Sequence, residues 1–305
     1  MIKSRYKERR GGKMSLNNET ILYMLEETSK FMMGFVIVTR NDNVIVVDGG
    51  RPEDMPLLKK YVGGRHISAW ILTHAHLDHI SGIISEIKRN GLADFDVERV
   101  IYHFPDLEAW SMLGEGDVPD LTYFRADLTA TLPSFVEIES QLGSRAHVAT
   151  QGEVINIDEV TLEFLYTAHD KLYSNPMNDS SLVFMLKGPK KKVLFLGDLG
   201  PEGGDVLYSE SRHKLKCDIV QMAHHGHMNV SMEVYAAAAP EACLWCAPDW
   251  LYAEPEIPSY LADRDKLFRM GRIRMYGTAV TRGWMEALGV KRHYVTKDGT
   301  QKLEI

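Results

Sequence analysis

Residues 69–83 read Ala-Trp-Ile-Leu-Thr-His-Ala-His-Leu-Asp-His-Ile-Ser-Gly-Ile. The apolar run from Ala69 to Leu72 has the pattern of a buried strand. It ends at Thr73, and four residues of metal-ligand type then follow in quick succession: His74, His76, Asp78 and His79. Ile80, Ile83, Ile84 and Ile87 continue at helical spacing, and Asn90-Gly91 supplies a helix stop. The cluster is therefore expected on a loop between a strand and a helix, where rigid elements can fix a site.

The spacing has a chemical meaning. In an extended stretch alternate residues share a side, so His74 and His76 can grip one ion together. Asp78 and His79 arrive where the chain turns into the helix, and they can face a second position beside the first. Neutral imidazole and carboxylate suit zinc, iron or manganese. Two ions sharing a bridging water would lower its pKa and supply hydroxide at neutral pH. A solvated polar turn is the plain alternative.

His74-Ala75-His76-Leu77-Asp78-His79 resembles the His-x-His-x-Asp-His signature of the metallo-β-lactamase superfamily. Here too it follows a strand and opens a helix. The resemblance implies an α/β protein, a four-layered αββα sandwich, with a dinuclear site at one edge of its two sheets. It implies two divalent metal ions, zinc first, with manganese or iron as alternatives. It also requires further ligands far downstream.

The chain has 305 residues, 45% of them hydrophobic and 25% charged, an ordinary globular composition. No Pro/Gly/Ser-rich linker divides it. Lys3, Arg5, Lys7, Arg9, Arg10 and Lys13 make residues 1–15 a basic tail, expected to be disordered, and residues 16–305 are expected to form one domain. No apolar run reaches the roughly 18 residues that span a bilayer, so no membrane role is expected. The N-terminus lacks the apolar core of a signal peptide. Three cysteines, Cys217, Cys243 and Cys246, are too few for a disulfide scaffold. The expected compartment is the cytoplasm. A net charge of −7 argues against a broad basic stripe for long nucleic acid. Bound divalent ions would still favour an anionic small substrate.

Residues 35–39 and 44–47 are β-branched runs around Arg40-Asn41-Asp42-Asn43, a hairpin signal. The second run ends in Asp48-Gly49-Gly50. By resemblance Asp48 matches a strand-end Asp that supports the site; by residue type it equally suits a turn. Residues 53–62 read as a short amphipathic helix, Val97–Tyr102 as a strand, and 120–142 as a helix interrupted or kinked at Pro133. Trp110, Tyr123, Phe124 and Phe135 read as core, with a lid as the alternative. Ser181–Lys187 and Lys192–Leu196 flank Gly188-Pro189-Lys190, a second hairpin signal. Strand and helix patterns alternate from there to the C-terminus.

Two strand ends downstream carry ligand types. Leu194-Phe195-Leu196-Gly197-Asp198 is apolar strand, glycine, carboxylate. The family places its bridging Asp after such a strand, which makes Asp198 the candidate bridge. Val220-Gln221-Met222-Ala223-His224-His225-Gly226 is again strand, then histidine. Sequence does not separate the two; the assignment taken forward is His225 on metal and His224 toward substrate. Most superfamily members supply a third histidine to the first ion from a loop before the bridging Asp. His169 is the candidate here, although it lies somewhat farther upstream than that pattern. Cys243-Leu244-Trp245-Cys246 lacks the second pair of a zinc ribbon, and its cysteines read as packing residues.

Asn178-Asp179-Ser180-Ser181-Leu182-Val183, the Leu-Gly-Asp turn and His-His-Gly together resemble the hydrolase domain of bacterial competence (DNA-uptake) proteins and their soluble relatives. The tail, Tyr294 to Thr300, resembles that group's terminal strand pair. The expected function is a metal-dependent hydrolase in which a bridging hydroxide attacks and Asp78 orients it. The implied substrate is a phosphodiester, in a nucleotide or nucleic acid. Thioester, lactone or β-lactam hydrolysis is the alternative within the superfamily, and a non-catalytic sensing module with a degenerate metal site is the alternative of another class.

Overall fold

The structure, a computed structural model, describes residues 19–28, 32–106, 131–168, 176–253 and 277–305. Two sheets face each other. The first runs β15 (Gln301–Glu304), β1 (Ile21–Met24), β2 (Gly34–Val38), β3 (Val44–Asp48), β4 (His66–Ile71), β6 (Val100–Tyr102) and β7 (Ala146–Val148), with β5 (Asp96–Val97) beside β4. The second runs β14 (Arg292–Val295), β13 (Ala242–Trp245), β12 (Ile219–Gln221), β11 (Lys192–Phe195), β10 (Val183–Lys187), β9 (Val160–Tyr166) and β8 (Val154–Ile157).

Strand composition explains the layering. In β2 and β3 every residue is buried, because both faces of the sheet are covered. Phe35, Ile37, Ile45 and Val47 point between the sheets. Val36, Val38, Val44 and Val46 point the other way, onto α1 (Met55–Val62) and α2 (Leu77–Asn90). The second sheet is covered by α3 (Pro201–Ser211), α4 (Met232–Ala238) and α5 (Gly277–Ala287), through Leu207, Val234, Tyr235 and Met285. Between the sheets Phe195 stacks on Phe184 at 4.8 Å and meets Phe35 edge-on at 5.0 Å. Each such ring contributes on the order of 1.5–3 kcal/mol by leaving water. Helix, sheet, sheet, helix is the αββα sandwich expected from the sequence.

Both hairpins form, β2 with β3 and β10 with β11, each antiparallel. The parallel strands β4 and β11 to β13 end on the same edge and deliver the ligand loops there. Three details differ from expectation. Val97–Tyr102 is two short strands, β5 and β6. Glu98 and Arg99 interrupt it, although their main-chain groups still bond Ile67 O and Trp70 N. The two C-terminal strands are not partners: β14 pairs β13 in one sheet and β15 pairs β1 in the other. The strand β1 carried too short an apolar run to be read alone. Residues 131–139 are helical, and Phe135 packs in the core at 4.8 Å from the Tyr102 ring. Trp110, Tyr123 and Phe124 lie outside the described residues.

Candidate metal centre

The strand β4 ends at Ile71, and His76 takes the extended N-cap position of α2. His74 and His76 therefore sit on the connecting loop, while Asp78 and His79 occupy the first turn of the helix. That position favours the Asp78 anion, which faces the positive end of the helix dipole. Gly82 lets α2 approach the Gly50–Arg51 loop: an added Cβ would lie 2.5 Å from Met55 Cε and 2.9 Å from Arg51 O. The Leu182 N–H bonds Thr73 O at 2.8 Å, tying the start of β10 to the end of β4 across the two sheets.

Asp198 is brought in by its own supports. Its N–H donates to Ser181 Oγ at 3.1 Å, and its carbonyl accepts from Asn229 Nδ2 at 2.9 Å. Gln221 holds the same turn, accepting from Leu196 N and donating to Gly197 O. Asp198 Oδ2 then lies 3.3 Å from His79 Nε2, 3.5 Å from His225 Nε2, 3.7 Å from His74 Nε2 and 3.9 Å from His224 Nε2. Two ligand groups result, His74 with His76 and Asp198, and Asp78 with His79 and His225. In each, the ligand atoms lie within 4.8 Å of one another.

Neighbouring groups set the ring orientations. Asp48 Oδ1 accepts from Thr73 N and Oδ2 from Thr73 Oγ1, both at 2.7 Å, and Oδ2 also meets His79 Nδ1 at 2.8 Å. Asp48 thus holds the His79 proton on Nδ1 and turns Nε2 toward Asp198. This is the supporting role implied by resemblance, and its φ of 52° makes it a turn residue as well. His225 Nδ1 donates to Cys246 O at 2.8 Å, leaving Nε2 3.0 Å from Asp78 Oδ2. A ligand histidine whose second nitrogen is anchored in this way is the usual design of a metal site.

The dyad His224-His225 is a left-handed turn rather than a plain strand end, with φ of 51° and 57°. Gly226 continues it at φ 89°, and an added Cβ there would sit 2.4 Å from the Trp245 ring. This turn sends the two rings to different places: His225 into the second ligand group, His224 beside Asp198, Asn178 and the His227 ring. Cys243 and Cys246 are buried and free, as packing residues should be.

The electrostatics follow from burial. His74 is held well below the ordinary histidine value by burial and by the charge of His79. His79 is raised well above it: burial opposes its charge, but Asp198, Asp48 and Asp78 outweigh that. Burial would raise Asp78; the His79 charge and the bond from His225 hold it low instead. Burial pushes His224 down to about 3. Glu27, which the sequence reading missed, is raised to about 7 by burial, and the charge of His225 works against that rise.

The residues fit a pair of divalent ions. The donor set is imidazole and carboxylate, and among the described residues the buried atoms His79 Nε2 and Asp198 Oδ1 have no hydrogen-bond partner. Buried polar atoms are normally paired, so two such atoms at the centre of a ligand cluster fit a site built for cations. His74, His76, Asp78, His79, Asp198, His224 and His225 are all brought together. His169 lies outside the described residues. Gln221 and Asn229 were not singled out by sequence, since isolated amides give no motif.

Comparison with known proteins agrees. No curated protein matches the chain by sequence. Among solved structures, the metallo-β-lactamase fold protein YhfI from Bacillus subtilis aligns over 94% of this chain and 100% of its own, at 13% identity and TM-score 0.51. CmlA, a diiron β-hydroxylase from Streptomyces venezuelae, aligns over 94% of this chain and 54% of its own, at 13% identity and TM-score 0.50. Both are likenesses of fold. The family model for the metallo-β-lactamase superfamily matches residues 34–240, which span both ligand groups, and the chain belongs to that superfamily.

Proposed function

We propose that the chain is a metal-dependent phosphodiester hydrolase acting on a nucleotide or nucleic acid. The observation that carries this reading is the meeting of three loops. Asn178-Asp179-Ser180-Ser181, Gly197-Asp198 and His224-His225-Gly226 are the segments that resemble the competence-type hydrolases. They hold one another: Ser181 Oγ accepts the Asp198 N–H, the His224 N–H bonds Gly197 O at 3.1 Å, and Asn178 reaches the His224 ring.

His74, His76 and Asp198 would hold one ion, and Asp78, His79 and His225 the other, with Asp198 between them. When bound, such ions supply Lewis acidity and a water acidified to near neutrality. Asp78 orients the attacking water and takes its proton at a carboxylate oxygen. His224, outside both ligand groups, donates to the phosphate oxygen that gains charge. Burial of the set keeps these interactions strong by excluding bulk water.

The test is elemental analysis of the purified protein, then a substrate panel. Hydrolysis of bis-(p-nitrophenyl) phosphate or single-stranded DNA is expected. Activity confined to a thioester, lactone or β-lactam would move the protein to the alternative. Low metal occupancy with no turnover on any of them would favour the sensing module with a degenerate site.

A further inference from the structure

Asn178 is fully buried, on the single helical turn Pro176–Asp179. Burying an amide is unfavourable unless its polar atoms are paired. Among the described residues its Oδ1 has no partner, and the one group its Nδ2 meets is His224 Nδ1, at 3.5 Å. Its neighbours on the loop hold the fold. Ser180 Oγ donates to Met177 O, Asp179 Oδ1 accepts the Gly203 N–H, and Ser181 Oγ accepts the Asp198 N–H. The Asn178 side chain does none of this. A leucine would fill similar volume without a polar atom to desolvate, so stability alone does not account for the amide.

The main chain of His224 is already fixed. Its N–H bonds Gly197 O, its carbonyl accepts from His227 N at 2.8 Å and from His227 Nδ1 at 2.7 Å. What remains to be set is which ring nitrogen carries the proton. His225 shows how a neighbour decides this: an acceptor, Cys246 O, holds a proton on Nδ1 and turns Nε2 toward Asp78. At His224 the group facing Nδ1 is a donor, the Asn178 amide, while the Asn229 side chain also bonds the ring and favours a proton on it.

We propose that Asn178 is a positioning residue for His224: its Nδ2–H donates to Nδ1, fixes the ring proton on Nε2, and aims that N–H at the substrate oxygen beside Asp198. Adjacent histidines then carry opposite tautomers, one a metal ligand and the other a hydrogen-bond donor. The identity of that oxygen rests on the phosphodiester reading; the tautomer does not. The reversed amide would set Oδ1 against the ring and draw the His224 proton to Nδ1.

The experiment is 15N NMR of histidine-labelled, zinc-loaded protein, with the His224 signals assigned by their loss in His224→Gln. The expected wild-type result is the Nε2–H tautomer. Asn178→Asp, which supplies an acceptor, should move the proton to Nδ1. Asn178→Leu should keep or raise Tm, release the tautomer, and lower kcat on bis-(p-nitrophenyl) phosphate by about tenfold or more with KM little changed. An Nδ1–H tautomer in the wild type overturns the proposal. So does an Asn178→Leu protein whose Tm falls while its tautomer and kcat stand. If Asn178→Leu does not fold, the wild type and Asn178→Asp decide. A correct tautomer in a protein inactive on phosphodiesters would sink the substrate reading alone.

Discussion

Without the Asp198 carboxylate, the rings of His74, His79, His224 and His225, now 3.3–3.9 Å from its Oδ2, would face a buried gap with no anion between them. Asp198→Ala should therefore cut bound metal and abolish turnover, and His76→Ala should do the same through the first ligand group. Elemental analysis checks both, and full occupancy in either variant would refute the ligand assignment. Asp48 acts one step back, through the bond it makes to His79 Nδ1. Asp48→Asn should weaken zinc binding by about 10- to 100-fold in a chelator competition titration. Unchanged affinity would reduce Asp48 to a turn residue. These roles were legible to different degrees. The ligands at 74–79 sit within one short stretch, so their spacing announced them. Gln221 and Asn229 act through single hydrogen bonds to main-chain groups, which no residue pattern encodes.

The strands read well from sequence because their burial alternates or runs unbroken, as in β2, β3 and β10. Local order at the His224-His225-Gly226 loop did not. Two non-glycine residues in the left-handed region cost about 1–2 kcal/mol each, and such strain is held only where the surroundings impose it. A sequence shows no backbone dihedral, so the loop read as a strand end with alternating side chains. Only Gly226 hinted at the turn, and its reason is the Trp245 ring beneath it. Gly226→Ala must accept both a positive φ and a contact of 2.4 Å with that ring. The loss should be at least about 2 kcal/mol, combining backbone strain with overpacking. Urea denaturation measures it, and a loss under half a kcal/mol would show that the loop relaxes freely. Pairing of strands far apart in the chain was also illegible: β14 and β15 are neighbours in sequence, yet they belong to different sheets.

Over the whole molecule the net charge of −7 hides a site whose protons are coupled to folding and to metal. In the metal-free protein His79 and His225 are raised above the ordinary value of 6.5, because the facing carboxylates outweigh the cost of burial. Glu27 is raised from 4.5 to about 7 by burial. All three shifts have one sign. A group whose folded pKa exceeds its unfolded one contributes stability that is complete below the unfolded pKa and is lost as pH rises through the folded value. For Glu27 that loss runs from 4.5 through about 7, and for the two histidines it begins near 6.5 and continues above it. Zinc works in the opposite direction, since binding needs unprotonated imidazole and releases those protons. The melting temperature of EDTA-treated protein should fall as pH rises past 6.5, and the gap to zinc-loaded protein should widen over the same range. Glu27→Gln should flatten the lower part of the fall and leave the upper part, which belongs to the histidines. Thermal melts at matched ionic strength decide it. A gap that narrows with rising pH would mean that the buried imidazoles are already neutral before metal arrives.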